Sequence, residues 1–479
     1  MTQRTTPEST DVNQSLTLTV VCIGFAMVIV DTTIVNVALP AIRDDFGSDL
    51  STLQWVVDGY IMVLAALLLS GGAMVDRLGA ARMFRVGVAL FTIASVLCGF
   101  APDSMVLISA RLVQGVAAAL LMPAAMALLT QAYPEPASKA RAVALFTTVA
   151  GSPQAFGPVL GGLLVSTIGW RSIFFLNIPV GTVTLLLASR GGLPRPALRA
   201  DRGTDVAGQV LAVLALISVT GALIEAGEKG ITSVVPITAA VSAIVFTIAL
   251  VLRERSARSP LLPAKLLGAP GLSAYVVVGL LLFGAYYGLV FALSLYLQQV
   301  HHLSAFATGL QFLPSALPIF LLPVIAGRLA NRWGPQRVVI TGLATAAVGA
   351  LSLLAVGSSS SPLMLSISLF LLGCGVGLTV GPQITLVINA APPQYAGIAS
   401  GLLNAGRQTG SVLGVAVLGA LAGASDRVAG LHGAVVTAAV ILAVAVLLGG
   451  LSRRSRSDEK PHRSEPANAG RADDTTRVS

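Results

Sequence analysis

The chain has 479 residues, of which 55% are hydrophobic and only 11% charged, and its formal net charge is +9. Soluble domains carry about a quarter charged residues, so this balance excludes a water-soluble enzyme. The three cysteines, Cys22, Cys98 and Cys374, all lie inside apolar runs, and none of the four histidines has metal-ligand spacing; no disulfide framework, metal site or cofactor is expected.

In chain order, Met1 to Gln14 is polar and Ser15 to Leu39 is apolar. That run is too long for a signal-peptide core and has no clear cleavage site, so it reads as an uncleaved first helix. Apolar runs long enough to cross a bilayer then recur to the end. The expected spans are 16–39, 52–73, 83–101, 105–130, 142–167, 172–190, 206–226, 232–252, 272–299, 306–327, 337–357, 361–389, 398–423 and 430–451. The expected organisation is a cytoplasmic N-terminal tail (1–15), a six-helix half (16–190), a linker with an inserted helix pair (191–265), a second six-helix half (266–451) and a disordered cytoplasmic tail (452–479). The many Gly and Pro residues inside the spans suit membrane helices, where small residues allow close packing and neighbours satisfy backbone groups freed by Pro.

The basic residues lie in short loops between the runs, which is a topology signal and not a nucleic-acid-binding surface. With the N-terminus in the cytoplasm, the inside loops hold sixteen Lys and Arg, and the outside loops hold Arg43, Arg171, Lys229 and Arg427. Both termini are therefore expected on the cytoplasmic side of the cell inner membrane. An internal repeat supports parallel halves: Gly72-Ala-Met-Val-Asp76-Arg77-Leu-Gly79-Ala-Ala-Arg82 recurs 255 residues later as Gly327-Arg-Leu-Ala-Asn331-Arg332-Trp-Gly334-Pro-Gln-Arg337. An offset of that size leaves room for two extra spans between the halves.

Gly72 to Arg82 resembles the loop signature of the major facilitator superfamily. The resemblance implies an all-α membrane protein with the major facilitator fold: two six-helix halves plus an inserted pair, about 14 transmembrane helices. In the family this loop is a cytoplasmic gate that stabilises the state closed to the cytoplasm; here Asn331 replaces the acid in the second copy. Three further segments resemble the fourteen-helix drug:proton antiporters. They are Asp31-Thr-Thr-Ile-Val-Asn36-Val-Ala-Leu-Pro40, Arg111-Leu-Val-Gln114-Gly115, and the antiporter Gly-Pro motif Gly151-Ser-Pro-Gln-Ala-Phe-Gly157-Pro158-Val-Leu-Gly161-Gly162. Asn404-Ala-Gly-Arg407-Gln-Thr-Gly410 is similar to the same branch, and the chain resembles methylenomycin-type antibiotic exporters of actinomycetes.

Five charged residues inside spans are the proton-coupling candidates: Asp31, Asp58, Arg111, Glu225 and Arg407. A charge at bilayer depth costs about 2.5–3.5 kcal/mol on insertion scales. Asp31 lies past the midplane and acts either by direct protonation or by a structural, indirect route. Arg111 cannot release its proton; it pairs with a carboxylate or snorkels to the outer interface. Asp58 takes a proton, binds a cationic substrate or is solvated beside Trp55. Glu225 reads as a solvated helix end, although related exporters often carry an acid there. Arg407 is too deep to snorkel and requires a partner, either an anionic substrate or a carboxylate such as Asp31. Gly157, Pro158, Gly161 and Gly162 make a closely packed, kinked stretch, and in the family such a stretch lies at the interface between halves.

The expected function is proton-coupled efflux of a small-molecule drug or antibiotic by a monomer, with protons and the lipid bilayer as the other partners. A proton-coupled metabolite transporter, for a sugar or an amino acid, is the alternative. No nucleophile–base pair or phosphate-binding loop is present, so an enzyme is not expected.

Overall fold

The computed structural model describes residues 13–190, 193–194, 205–257, 269, 271–356, 362–392, 396–423 and 426–451. The tails 1–12 and 452–479 and the loop cations Arg195, Arg199, Arg202, Arg258 and Lys265 lie outside the described residues. Among the described residues every regular element is helical. The first half comprises α1 (Gln14–Phe46), α2 (Leu50–Leu78), α3 (Ala80–Gly99), α4 (Ser104–Ala132), α5 (Pro136–Thr167), α6 (Ser172–Phe175) and α7 (Asn177–Ser189). The inserted pair is α8 (Val206–Lys229) and α9 (Val234–Ser256). The second half comprises α10 (Leu272–Gln299), α11 (Ala305–Gln311), α12 (Leu313–Trp333), α13 (Pro335–Ser352), α14 (Pro362–Ala390), α15 (Ala396–Ala422) and α16 (Arg427–Leu451).

Two of the fourteen expected spans are broken helices. The sixth divides at Leu176 into α6 and α7, and the tenth divides at Phe312 into α11 and α12. The cause is local in both cases: Pro179 and Pro314 follow the breaks, and neither offers the N–H that would continue the i→i−4 ladder. Among the described residues, twelve stretches are long and apolar enough to cross a membrane by length and composition. The remaining two of the fourteen are α5, of which the 12-residue stretch Phe156–Thr167 is apolar, and α15, which carries Asn404, Arg407, Gln408 and Thr409 in mid-helix.

Each half has its own apolar core. α1 packs on α5, and α4 on α2 and α3; in the second half α10 packs on α15, and α14 on α12 and α13. The α10–α15 contact is a small-residue seam. Gly284 and Gly288 face Gly410 and Gly414, and a Cβ on Gly410 would strike the Leu280 carbonyl. Where lipid supplies no hydrophobic drive between helices, such close backbone approach is what holds them. The inserted α8 lies against α2 and α15, while α9 packs on α8 and is otherwise exposed along an apolar surface that includes Val241, Ile244, Val245 and Ile248.

The internal repeat has a common geometry. Gly79 ends α2 at φ 91°, ψ 137°, and Gly334 ends α12 at φ 85°, ψ 142°. L side chains rarely adopt this conformation, and the next helix starts at the following residue in each copy. Both turns lie at the same end of the bundle, called the loop end below.

Candidate functional site

The two halves meet at the end opposite the loops. Gln54 Nε2, in the first turns of α2, donates to the carbonyls of Val415 (3.0 Å) and Ala416 (3.2 Å) on α15. Ser294 Oγ on α10 donates to the Asn36 carbonyl of α1 at 2.7 Å, and Gln298 Nε2 to that of Val37 at 3.4 Å. Gln54, Ser294 and Gln298 thus carry hydrogen bonds that cross between the halves. The Gly-Pro stretch of α5 belongs to the same seam. A Cβ on Gly157 would strike Thr33 and one on Gly161 would strike Ile34, both on α1; one on Gly162 would strike the backbone of Ala305 and Phe306. Gly309 on α11 answers from the other side, against the backbone of Pro158. Four glycines thus let three helices from two halves meet at backbone distance. Gly151 lies further back in α5 and its surroundings are not among the described side chains.

Behind the seam lies a small cleft of about 20 Å³, bordered by Thr33, Asn36, Pro158, Tyr286, Tyr287 and Phe312, among others. Its walls come from both halves. Tyr287 packs against both apolar cores.

A polar network is buried inside the first half. Arg111 on α4 is ion-paired with Asp31 on α1, their side chains 1% and 0% exposed. Arg111 Nε also donates to the Val56 carbonyl of α2 (3.1 Å) and Nη1 to Gln114 Oε1 (2.9 Å). The guanidinium lies over the Tyr60 ring, 4.3 Å from its centroid. Gln114 Nε2 in turn donates to Ser95 Oγ on α3 at 2.8 Å. Asn177 Nδ2, at the start of α7, donates to Asp31 Oδ1 at 3.0 Å. Five helices are therefore tied to one ion pair. Removing a charge from water is tolerable only with a partner and satisfied hydrogen bonds, and this network supplies both. Arg111 consequently does not snorkel, and the partner of Asp31 is Arg111, not Arg407. Gln114 was read in the sequence as part of the Arg111 motif, but Ser95, Asn177 and Tyr60 were not singled out. Their only signal is polarity inside an apolar run, which every helix here shares.

The other candidates stand apart from that network. Asp58 on α2 is fully buried, and neither carboxyl oxygen has a hydrogen-bond partner. Glu225 on α8 pairs with Lys229 one turn later, Oε2 to Nζ 2.6 Å. Arg407 on α15 is 5% exposed, and its Nη2 donates to Gln383 Oε1 (2.6 Å) and to the Val380 carbonyl (3.1 Å), both on α14. At the loop end Asp76 is half-buried, while Arg77, Arg82, Asn331 and Arg332 are exposed. Asp76 makes no ion pair among the described residues, so no carboxylate latch ties the halves at that end. Outside the membrane core, Asp205 caps α8 through Gly208 N (3.1 Å) and pairs with Arg253 of α9 (3.1 Å). The Arg253 hydrogen bond holds its carboxyl below the usual carboxylate range. No group of three or more His, Cys, Asp or Glu with metal-binding geometry occurs among the described residues.

Comparison with known proteins agrees with this architecture. Relatives include a methylenomycin A resistance protein of Bacillus subtilis, 36% identical over 86% of this chain and 89% of that protein. A second methylenomycin A resistance protein, from Streptomyces coelicolor, is 34% identical over 92% of both chains. The tetracenomycin C resistance and export protein of Streptomyces glaucescens is 32% identical over 85% of this chain and 75% of its own length. Among solved structures, a peptide transporter in complex with sulfate superposes with a TM-score of 0.68 at 16% identity, covering 93% of this chain and 94% of that one; at that identity it bears on the fold alone. Residues 21–415 match the model of the Major Facilitator Superfamily, and with two halves, a repeated loop turn and relatives alike over most of their length, the chain belongs to that superfamily.

Proposed function

We propose that this protein is a proton-coupled exporter of a drug or antibiotic in the cytoplasmic membrane, working by alternating access. The relatives named for antibiotic resistance and export support the substrate class. The observation that carries the mechanism is the combination of a one-ended seam with acids buried beside it. The loop end carries most of the basic loop residues, so on the positive-inside rule it faces the cytoplasm with both termini. On this reading the seam closes the outer end, as in a state open to the cytoplasm. The absence of an Asp76 ion pair fits that state, because a loop latch belongs to the opposite one. On this reading the functional units are the halves 16–190 and 266–451, joined by 191–265, and one monomer suffices.

Asp58 is the acid best placed to carry the proton in this state. A carboxylate with neither water nor a donor at membrane depth is strongly disfavoured, so its surroundings suit the neutral acid. It sits one turn from Gln54, on the helix that must leave α15 when the outer end opens. Opening hydrates that face and lets the proton exchange with the outside. Asp31 is held by Arg111 and positions α1, α2, α3, α4 and α7 as a unit. One proton crossing about 150 mV at 2.3 kcal/mol per 100 mV supplies roughly 3.5 kcal/mol, a few hundredfold gradient of a neutral compound.

The test is flux in everted membrane vesicles with an imposed pH gradient, read alongside drug susceptibility of a sensitive bacterium expressing the protein. Compound should accumulate in energised vesicles and leave when the gradient is collapsed. Flux of the same size with and without the gradient would sink the coupling.

A further inference from the structure

The second half contains a buried cation that the coupling scheme leaves unused. Arg407 is 5% exposed, and only Nη2 donates within the protein; buried Nε has no partner. No acid among the described residues is ion-paired to it. The nearest acid in register is Asp58. Gln54 meets residues 415–416 on antiparallel α15, so Asp58, four residues on, lies level with 411–412, about one turn or 6 Å along the axis from Arg407. The two charges make no contact.

The surroundings of Arg407 suggest what would complete it. Phe283 of α10 lies 5.2 Å from the guanidinium carbon, Phe283 packs on Tyr287 at 6.0 Å, and Tyr287 packs on Tyr286 at 5.3 Å. Tyr286 and Tyr287 are walls of the small cleft behind the seam. An aromatic row therefore runs from the cleft to a cation with unused N–H donors. The first half answers its deep arginine with Asp31; the second half answers Arg407 with the neutral amide of Gln383 and the Val380 carbonyl.

We propose that Arg407 is the anchor for the carboxylate of an organic anion whose apolar body lies along Phe283 and Tyr287. This rests on the exporter reading and narrows it: the exported compound is an organic acid. Charge-assisted hydrogen bonds to a carboxylate are about twice as strong as neutral ones, and a bound acid supplies the counter-charge that the helix lacks. A small inorganic anion would meet the charge but leave the aromatic row idle.

The experiment uses the full-length transporter in detergent micelles, with 1-naphthoate as the probe. Thermal unfolding is followed as naphthoate, the neutral 1-naphthamide or sodium chloride is added at matched ionic strength. The expected result is a saturable rise in Tm with naphthoate alone. Arg407→Gln should raise the half-saturating concentration at least tenfold, and Arg407→Lys should recover part of the loss. Gln383→Glu should also remove the response, because the new carboxylate takes the guanidinium; this variant decides the matter if Arg407→Gln does not fold. The proposal is overturned by an equal response to naphthamide or chloride, by no response in the wild type, or by an unchanged half-saturation in both Arg407→Gln and Gln383→Glu. Vesicle flux separates the two readings. Naphthoate binding without pH-driven flux sinks the exporter, whereas pH-driven flux of a neutral compound without a naphthoate response sinks only the anion site.

Discussion

Replacing Asp31 by Asn tests whether the buried ion pair is the fastener of the first half. The pair is 1% and 0% exposed, so removing the carboxylate leaves a guanidinium in a dry interior. Breaking one partner of a buried pair costs about 3–5 kcal/mol. Arg111 would keep its bonds to the Val56 carbonyl and Gln114, which places Asp31→Asn near the lower figure, about 3 kcal/mol. Arg111→Gln should cost more, since Asp31 would keep only amide donors from Asn177 and Gln114. The double variant removes both charges and should be more stable than the sum of the singles predicts, with a coupling of about 2–3 kcal/mol. The assay is equilibrium unfolding in mixed micelles for all four proteins. Additive losses, or an Asp31→Asn variant within 0.5 kcal/mol of wild type by the same margin used for ordinary surface changes, would refute the reasoning.

Asp58→Asn should keep the fold but make export indifferent to an imposed pH gradient, as measured by vesicle flux; retained pH dependence would move the proton elsewhere. Gly162→Val should prop the seam against the Ala305–Phe306 backbone, raising thiol labelling of an Asn36→Cys reporter from the outer side. Cysteines at Asp76 and Asn331 should both label from the cytoplasmic face, and labelling from opposite faces would break the two-half reading. Asp205→Asn should loosen α8 by about 1 kcal/mol through the lost cap, read as faster hydrogen exchange at the start of that helix. Because Arg253 lowers the Asp205 pKa, this contribution is full above the ordinary carboxylate value of about 3.9 and fades as the pH falls below it.

Much of the fold was legible because bilayer physics is local. Span length, loop charge and the 255-residue repeat each follow from short stretches of chain, and the matching φ values of Gly79 and Gly334 show the repeat as geometry. The breaks at Leu176 and Phe312 were also written locally, in Pro179 and Pro314, but were not drawn from them. The Gly-Pro stretch was read as a packing surface between halves, and its glycines do touch α1 and α11. What escaped was pairing at a distance. Asp31 and Arg111 are 80 residues apart, and Asn177 is 146 from Asp31. Nothing along the chain ranks one buried polar residue as another's partner, and so Arg407 was offered Asp31. Which end is closed was equally invisible, since it depends on Gln54 reaching 361 residues away.

The halves share a backbone plan but not a charge plan. The first copy of the loop has Asp76 where the second has Asn331. The first half has Asp31 to neutralise its deep arginine and holds the unpartnered acid Asp58; the second has a deep arginine and no acid beside it. On the proposed scheme protons are handled in one half and an organic anion in the other. Proton and anion are then linked without sharing a site. With Asp58 neutral, Arg407 is the deep charge of the second half; loss of that proton places a new negative charge offset about one turn along the axis from Arg407, on the helix across the seam. A carboxylate on Asp58 would attract Arg407 and weaken its hold on a bound anion, so proton loss from Asp58 and release of the anion are linked by electrostatics between α2 and α15. It follows that Asp58→Asn should hold naphthoate at least as tightly as wild type, with affinity that no longer falls as pH rises; a pH-dependent affinity surviving in that variant would separate the two sites.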